Sequence, residues 1–251
     1  MLWRDIATGQ YLSGMGEDGL EASGFHDLFS TNRIPVSKVC DVLERRPYSS
    51  HIVVAVDGLF YPLQVIVEGE VVSTSELFTQ LRHLELEVRS LTDGEKEAPV
   101  GVLTSMEREN WHYVREQLSE HPQSRYSLEV IESSLFVVCF DLLFEDENRD
   151  VLWRYFRDRE VENRWFDKSM QLIVTRNGSA ALSFESAAVD AHVAAQFVNK
   201  LWELYEQEHA SETTSLVLAG DSEDKNFELL EWGCSDQSIW DLTADASSAH
   251  A

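Results

Sequence analysis

This sequence predicts an α/β fold, with a mixed central sheet and helices packed outside it. Runs of Val, Ile, Phe and Tyr flank the pairs Asp57-Gly58 and Asn177-Gly178, which are typical of two-residue type I′ hairpins. Apolar residues recur at helical spacing over residues 105–119 and 189–208, which predicts two amphipathic helices. Hairpins and helices of this length in one chain favour the α/β class.

The composition predicts a soluble globular protein. The 251 residues, 43% of them apolar, suffice for one large domain or two small ones. No run approaches the roughly 20 apolar residues of a membrane helix, and residues 1–10 lack the features of a secretory or transit signal. Cys40, Cys139 and Cys234 lie far apart without C-x-x-C spacing, which disfavours disulfides and zinc and favours an intracellular setting.

The charge limits the class of partner. Asp and Glu number 45 against 20 Lys and Arg, which gives a formal net charge of −25. Phosphate groups are repelled by such a surface, so nucleic acid and anionic membranes are disfavoured as partners. The basic residues that cluster are Arg45, Arg46, Arg154, Arg157, Arg159 and Arg164.

The first half of the chain begins with weak signals. Residues 1–24 contain five glycines among polar residues and predict loop or helix fragments. Residues 51–65, HIVVAVDGLFYPLQV, predict the first hairpin. A helix is predicted over about residues 75–90, where Leu77, Leu81, Leu84 and Val88 share one face.

Residues 99–141 predict a helix and then a strand. Thr104 and Glu107 fit a capping box that starts the helix. Trp111, Val114 and Leu118 would form its buried stripe, with Arg108 and Arg115 outside. Residues 126–141 predict a strand entered after a polar bend, in which Cys139 is a small buried apolar residue.

An alternating acidic run, Asp146, Asn148 and Asp150, resembles the start of a calcium loop. The glycine and glutamate that such a loop needs at its sixth and twelfth positions are replaced by Val151 and Arg157. Residues 144–162 therefore predict a charged surface helix or loop, and no metal site is expected.

Residues 163–190 combine the second hairpin with chemistry-bearing side chains. The strands MQLIVTR and SAALSFE place Ala180, Leu182 and Phe184 on one face and deliver Glu185, Ser186 and Asp190 to the start of a helix. The buried stripe predicted for this helix consists of Val189, Val193, Phe197, Leu201 and Leu204. His192 falls beside that stripe, which favours a surface position.

The chain ends with an acidic linker, residues 209–226, and a short strand and helix over residues 227–251. Leu230, Trp232, Ile239 and Leu242 occupy the apolar positions of the last segment. Ser235 or Ser238 would cap its helix.

Several of these stretches together resemble the choline/carnitine acyltransferase family. The family's N-R-W-x-D-K matches at Asn163, Arg164, Trp165, Asp167 and Lys168. Its E-H-x-x-x-(D/E) matches at Glu185 and Asp190 but has Ser186 in place of the histidine. Further matches follow in the family's own order over residues 26–35, 51–65, 99–118 and 126–141, and a fainter one near the C-terminus.

The resemblance implies a coenzyme A-dependent acyltransferase domain of the chloramphenicol acetyltransferase-like type, incomplete relative to the family. Residues 1–208 would form this partial domain, and residues 227–251 would lead toward a second domain that is not encoded here. Acyl-CoA is then the cosubstrate, no cofactor is tightly bound, and carnitine or choline is the acceptor. Self-association or a partner supplying the missing half is expected, in mitochondria or peroxisomes.

Ser186 decides what the resemblance implies for activity. Acyl transfer to a hydroxyl needs a base, which the family supplies as histidine, and a serine hydroxyl is no substitute. His192 is the alternative base, while a Ser186-His192-Asp190 triad lacks a G-x-S-x-G turn. Asp190 would orient and support the turn. Two hypotheses remain: an impaired acyltransferase, or a non-catalytic member that acts as a binding module.

Overall fold

The structure is a computed structural model, and it describes residues 25–36, 40–92, 97–142, 151–152, 155–156, 161–210, 227–233 and 237–249. Its strands are β1 (Thr31–Pro35), β2 (Asp41–Arg45), β3 (His51–Val56), β4 (Leu59–Gln64), β5 (Ile66–Val67), β6 (Glu70–Val71), β7 (Val137–Asp141), β8 (Met170–Thr175) and β9 (Ala180–Phe184). Its α-helices are α1 (Thr74–Ser90), α2 (Arg108–Glu120), α3 (Pro122–Ser133), α4 (Ala191–Ala210) and α5 (Gln237–Ser248). Two 3₁₀ helices span Val100–Ser105 and Val161–Asn163.

A five-stranded mixed sheet forms the centre, in the order β4-β3-β7-β8-β9. The three inner strands β3, β7 and β8 are parallel, and each outer strand joins its neighbour as an antiparallel hairpin. Strands β1 and β2 form a separate antiparallel ribbon, as do β5 and β6. The predicted mixed α/β architecture is confirmed.

Both faces of the sheet are buried, and side chains that alternate along its strands enter different cores on the two faces. Val53 and Ala55 of β3 pack into the core that contains residues of α2, α3 and α5, whereas Ile52 and Val54 pack into the core that contains residues of α1. A third cluster joins Phe25 and Leu28 to β8 and to the first half of α4. Helices therefore cover the sheet on both sides.

The two predicted hairpins differ in their turns. Asp57 and Gly58 both have positive φ, 54° and 76°, as a type I′ turn requires. In the second hairpin only Gly178 has positive φ, 82°, and the backbone of Thr175 bonds both Gly178 and Ser179. The prediction of a two-residue type I′ turn was wrong there, because the loop is one residue longer and places only its last residue in the left-handed region.

Several helix boundaries also correct the predictions. Residues 126–133 belong to α3, so the strand is confined to β7. The capping box was wrong: Glu107 is the N-cap of α2 without a side-chain bond, because the Thr104 hydroxyl donates to the Gly101 carbonyl in the preceding 3₁₀ helix. Since α5 begins at Gln237, Ser238 lies inside it and is not its cap. Leu201 of α4 is 42% exposed and is not part of a buried stripe.

The helix predicted over residues 75–90 is confirmed as α1, with Leu84 and Val88 buried. Other predictions lie outside the described residues. These are the loop or helix fragments over residues 1–24, the calcium-like run at Asp146, Asn148 and Asp150, most of the acidic linker, and the Ser235 cap.

Candidate functional site

The segment that carries the N-R-W-x-D-K match is almost entirely buried, and its charged side chains are paired. The Arg164 side chain is 2% exposed, and its Nη1 and Nη2 donate to Asp141 Oδ1 and Oδ2 at 2.9 and 2.7 Å. Burial alone would lower the pKa of Arg164, but the hydrogen bonds to the Asp141 carboxylate raise it above its ordinary value. Asn163 bonds the same carboxylate and accepts the backbone N–H of Gly58. This pair therefore fastens the motif to the end of β7 and to the first hairpin.

Asp167 is the centre of a second charged cluster. Its Oδ1 accepts from Arg108 Nη1 at 2.6 Å and from Arg33 Nε at 3.2 Å, and its Oδ2 accepts from the Trp111 indole at 2.6 Å. Burial raises the pKa of Asp167, while the two guanidinium groups and the indole bond act in the opposite direction. Arg108 also bonds Asp41 of β2. The prediction that Arg108 stays outside was wrong, because its charge is needed beside the buried carboxylate.

Arg115 was also predicted to lie outside, and it too is engaged in an ion pair. Its Nε and Nη2 both donate to Glu132 Oε1, at 2.9 and 2.6 Å. Burial raises the pKa of Glu132, and the Arg115 charge opposes that shift. The pair joins α2 to the last turn of α3.

Lys168 points into the protein and caps α3. Its Nζ donates to the carbonyls of Ile131 and Glu132 at 3.2 and 2.8 Å, while a ring nitrogen of His51 bonds the neighbouring carbonyl of Val130. The carbonyl end of a helix carries partial negative charge, which favours a cation there. Complete burial nevertheless lowers the pKa of Lys168 to about 7.

The turn between β9 and α4 holds the residues of the E-H-x-x-x-(D/E) match. Glu185 Oε1 accepts from Arg33 Nη1 at 3.1 Å and from the backbone N–H of Ala187 at 3.0 Å. Asp190 Oδ1 accepts the backbone N–H of His192 at 2.8 Å and so caps the start of α4. Both carboxylates shape the turn, and Ser186 lies exposed between them.

His192 lies exposed on the first turn of α4, where its ring bonds the Gln196 amide one turn further along the helix. Asp190 meets the backbone of residue 192 through its Oδ1. The residues of the Ser186-His192-Asp190 alternative are thus close in the chain, with the carboxylate acting as a helix cap.

A cleft of about 660 Å³ opens beside β9 and connects Glu185 to the rest of the motif. Arg33 and Glu185 form its charged wall, Ser183 and Gln171 contribute polar groups, and Met106 and Phe166 contribute apolar ones. Arg33 bonds both Asp167 and Glu185, so it links the two halves of the sequence match across this cleft. Arg33 lies within the family match over residues 26–35, but no role is predicted for it, since local pattern does not reveal a contact 152 residues away.

Within the described ranges, no three His, Cys, Asp or Glu side chains are grouped as metal ligands. Among the helices described, none has the length and apolar character needed to cross a bilayer.

Comparisons with known proteins point to one family. The profile of the family described as choline/carnitine O-acyltransferase matches residues 2–251. Choline O-acetyltransferase of Sus scrofa is 32% identical over 208 residues, which cover 78% of this chain and 31% of that protein. The mitochondrial carnitine O-palmitoyltransferase 2 of Xenopus tropicalis is 33% identical over 184 residues, 73% of this chain and 27% of that protein.

The human choline O-acetyltransferase is 30% identical over 254 aligned residues, which cover 96% of this chain and 32% of that protein. A mixed sheet carrying the buried motif and the β9–α4 turn defines an acyltransferase-type α/β domain. The chain belongs to the choline/carnitine O-acyltransferase family. It spans about a third of the length of the relatives it matches.

Proposed function

We propose that this chain carries part of the acyl-transfer site of its family, and that it lacks catalytic activity as it stands. The family's reaction moves an acyl group between coenzyme A and carnitine or choline. The observation that carries the proposal is the serine at position 186, in a turn whose flanking carboxylates, Glu185 and Asp190, are both held in place. The scaffold of the site is retained while its base is replaced.

The chemistry explains why this replacement matters. Transfer from acyl-CoA to an alcohol requires removal of the hydroxyl proton as the oxygen attacks the thioester carbonyl. The C–S bond then breaks, and the departing thiolate takes up the proton. Imidazole suits both proton transfers at neutral pH, whereas a serine hydroxyl has no accessible conjugate base without a second base beside it. Glu185 is engaged with Arg33. Loss of a general base costs about 10² to 10⁴ in rate.

A second candidate function is binding without turnover. The ion pairs around Asp167 and Arg164 hold the motif through contacts that do not involve residue 186. The cleft beside β9 therefore does not depend on the missing imidazole. Acyl-CoA or the alcohol would bind there, together with a partner that supplies the remaining length of the relatives. The alternative is self-association of this chain through the surface that the remaining part of the relatives would cover.

The test restores the base and supplies the missing length. We expect no release of coenzyme A thiol from acetyl- or palmitoyl-CoA, with carnitine or choline, for the unmodified chain or for Ser186→His alone. Fusion of Ser186→His to the remaining portion of a relative should raise the rate by about 10² or more over the same fusion with Ser186. Ser186→Gln in the fusion is the matched control, because it adds bulk without a base.

Three results would overturn parts of this proposal. Turnover by the unmodified chain that disappears in His192→Ala would make His192 the working base. Equal rates for the histidine and glutamine fusions would show that position 186 is not catalytic. Absence of binding of acyl-CoA and of carnitine and choline to any fusion, measured by calorimetry, would exclude both candidate functions.

We propose a mitochondrial or peroxisomal location, where a carnitine-dependent relative would act. The support is the mitochondrial carnitine O-palmitoyltransferase among the relatives. Microscopy of the tagged full-length protein with markers for both organelles tests this, and a signal confined to the cytosol would contradict it.

A further inference from the structure

The second half of α4 carries apolar side chains that the protein core does not bury. Val193 and Phe197 in the first half are 6% and 5% exposed and pack against Phe25 and Leu28. In the second half Val198 and Leu201 are each 42% exposed, Trp202 is 60% exposed and Tyr205 is 51% exposed. We call these four residues the α4 stripe.

The α4 stripe has the geometry of a helix-docking surface. Its members follow the spacing i, i+3, i+4 and i+7, so they lie along one side of the helix over about two turns, or roughly 12 Å. The rings of Trp202 and Tyr205 are stacked, with centroids 5.5 Å apart and an interplanar angle of 28°. Trp and Tyr are the residues most enriched among interface hot spots, and contiguous exposed apolar groups mark interaction sites.

Two carboxylates and one ammonium group border the α4 stripe. Glu206 accepts the indole N–H of Trp202 at 2.8 Å, so its carboxylate lies directly beside the stripe. Glu203, with a side chain 57% exposed, bonds Lys200 at 3.0 Å. The carboxylates of Glu203 and Glu206 attract cations, and the faces of the exposed Trp202 and Tyr205 rings also favour cations.

Charge also distinguishes between the molecules that could bind the α4 stripe. A second copy of the chain brings another formal charge of −25, and anionic lipid would likewise be repelled. The last described helix, α5, packs into the core that contains Val53 and Ala55, whereas α4 packs into the separate cluster that contains Phe25 and Leu28. A cationic partner is the occupant that the electrostatics favour.

We propose that the α4 stripe docks the apolar face of a basic amphipathic helix belonging to a second protein. Leu or similar side chains of that helix would pack on Val198 and Leu201, and flanking Lys or Arg side chains would meet Glu203, Glu206 and the two aromatic rings. Binding of an amphipathic helix to an apolar surface is a recurring mode of peptide recognition. This interaction does not depend on the acyltransferase chemistry proposed above.

The experiment uses the full chain and a synthetic 18-residue peptide of Leu and Lys with helical amphipathic spacing. We expect saturable one-to-one binding by calorimetry that weakens as salt is raised. A scrambled peptide of the same composition and an amphipathic Leu/Glu peptide should bind at least about tenfold more weakly. Trp202→Gln should weaken binding by about tenfold, as expected for a hot-spot side chain, and Glu206→Gln should reduce the salt dependence.

The matched control is Tyr113→Gln, which removes an exposed aromatic ring of α2, 63% exposed, and should leave binding unchanged. Circular dichroism and the urea midpoint of each variant confirm that folding is retained. Equal binding of all three peptides, or full affinity in Trp202→Gln, would overturn the proposal.

Three further outcomes would assign the α4 stripe to another occupant and also overturn the proposal. The first is a dimer in sedimentation that Trp202→Gln abolishes. The second is binding to zwitterionic vesicles that the same variant abolishes. The third is protection of position 202 from acrylamide quenching in the free chain, measured against Trp202→Phe, which would indicate that another segment of the same chain covers it.

Discussion

Breaking the buried pair between Arg164 and Asp141 should destabilise the protein far more than breaking an exposed pair of the same length. The pair consists of two nitrogen–oxygen contacts, of 2.9 and 2.7 Å, between side chains that are 2% and 0% exposed. Arg164→Met leaves the Asp141 carboxylate buried with only the Asn163 amide as a hydrogen-bond donor. Removal of one partner of a buried ion pair typically costs about 3–5 kcal/mol, because the other charge is left uncompensated.

Arg89 and Glu85 on α1 provide the matched control. Their nitrogen–oxygen distance is also 2.7 Å, but the side chains are 45% and 39% exposed. Water screens this pair, so Arg89→Met should lower the free energy of unfolding by less than about 1 kcal/mol. The two variants therefore separate the effect of burial from the effect of distance.

The double variant Arg164→Met, Asp141→Leu tests the mechanism. It removes both charges at once, so its loss of stability should be smaller than that of Arg164→Met alone. Urea unfolding followed by circular dichroism gives the free energy of unfolding for all four proteins. A loss below about 1 kcal/mol in Arg164→Met, or a double variant at least as unstable as Arg164→Met, would refute this reasoning.

Three other predictions concern buried groups. Burial lowers the pKa of Lys168 from 10.5 to about 7, so the unfolded chain binds more protons in this window and stability rises with pH. Relative to Lys168→Met, the free energy of unfolding should rise by about 2 kcal/mol from pH 7 to 9, and parallel pH curves would contradict this. Gly101→Ala should cost more than about 2 kcal/mol, since the added Cβ meets the backbone carbonyl oxygens of Arg164 and, at 2.8 Å, of Glu162, whereas Gly178→Ala, with open space around it, should cost about 1 kcal/mol for its positive φ. Burial raises the pKa of Cys139 to about 12, so iodoacetamide should modify exposed Cys40 in the native protein and Cys139 only after unfolding; peptide mass spectrometry would show otherwise if both react together.

Much of the fold follows from local pattern. The Asp57-Gly58 hairpin, α1, α2 and α4 were all predicted, because period-two and helical repeats of apolar residues directly reflect which side faces the core. The errors lie where a local pattern permits two outcomes. Residues 126–133 were predicted as a strand but form a helix, in which Leu128 and Ile131 pack into the core. A short apolar run does not by itself distinguish a strand from a buried helix segment.

The sequence by itself determined the family, through ordered motifs, and it predicts that Ser186 stands at the position of the family's histidine. It also determined the mixed α/β class, since hairpins and amphipathic helices can be predicted from the pattern of neighbouring residues. Only the tertiary structure decided which charges meet. Arg33 lies 134 residues from Asp167 and 152 from Glu185, and Arg108 is turned inward against its helical pattern. Local periodicity does not predict such contacts, because the paired residues are far apart in the sequence. A buried carboxylate is costly to desolvate unless cations pair with it, and the fold decides which cations lie within reach.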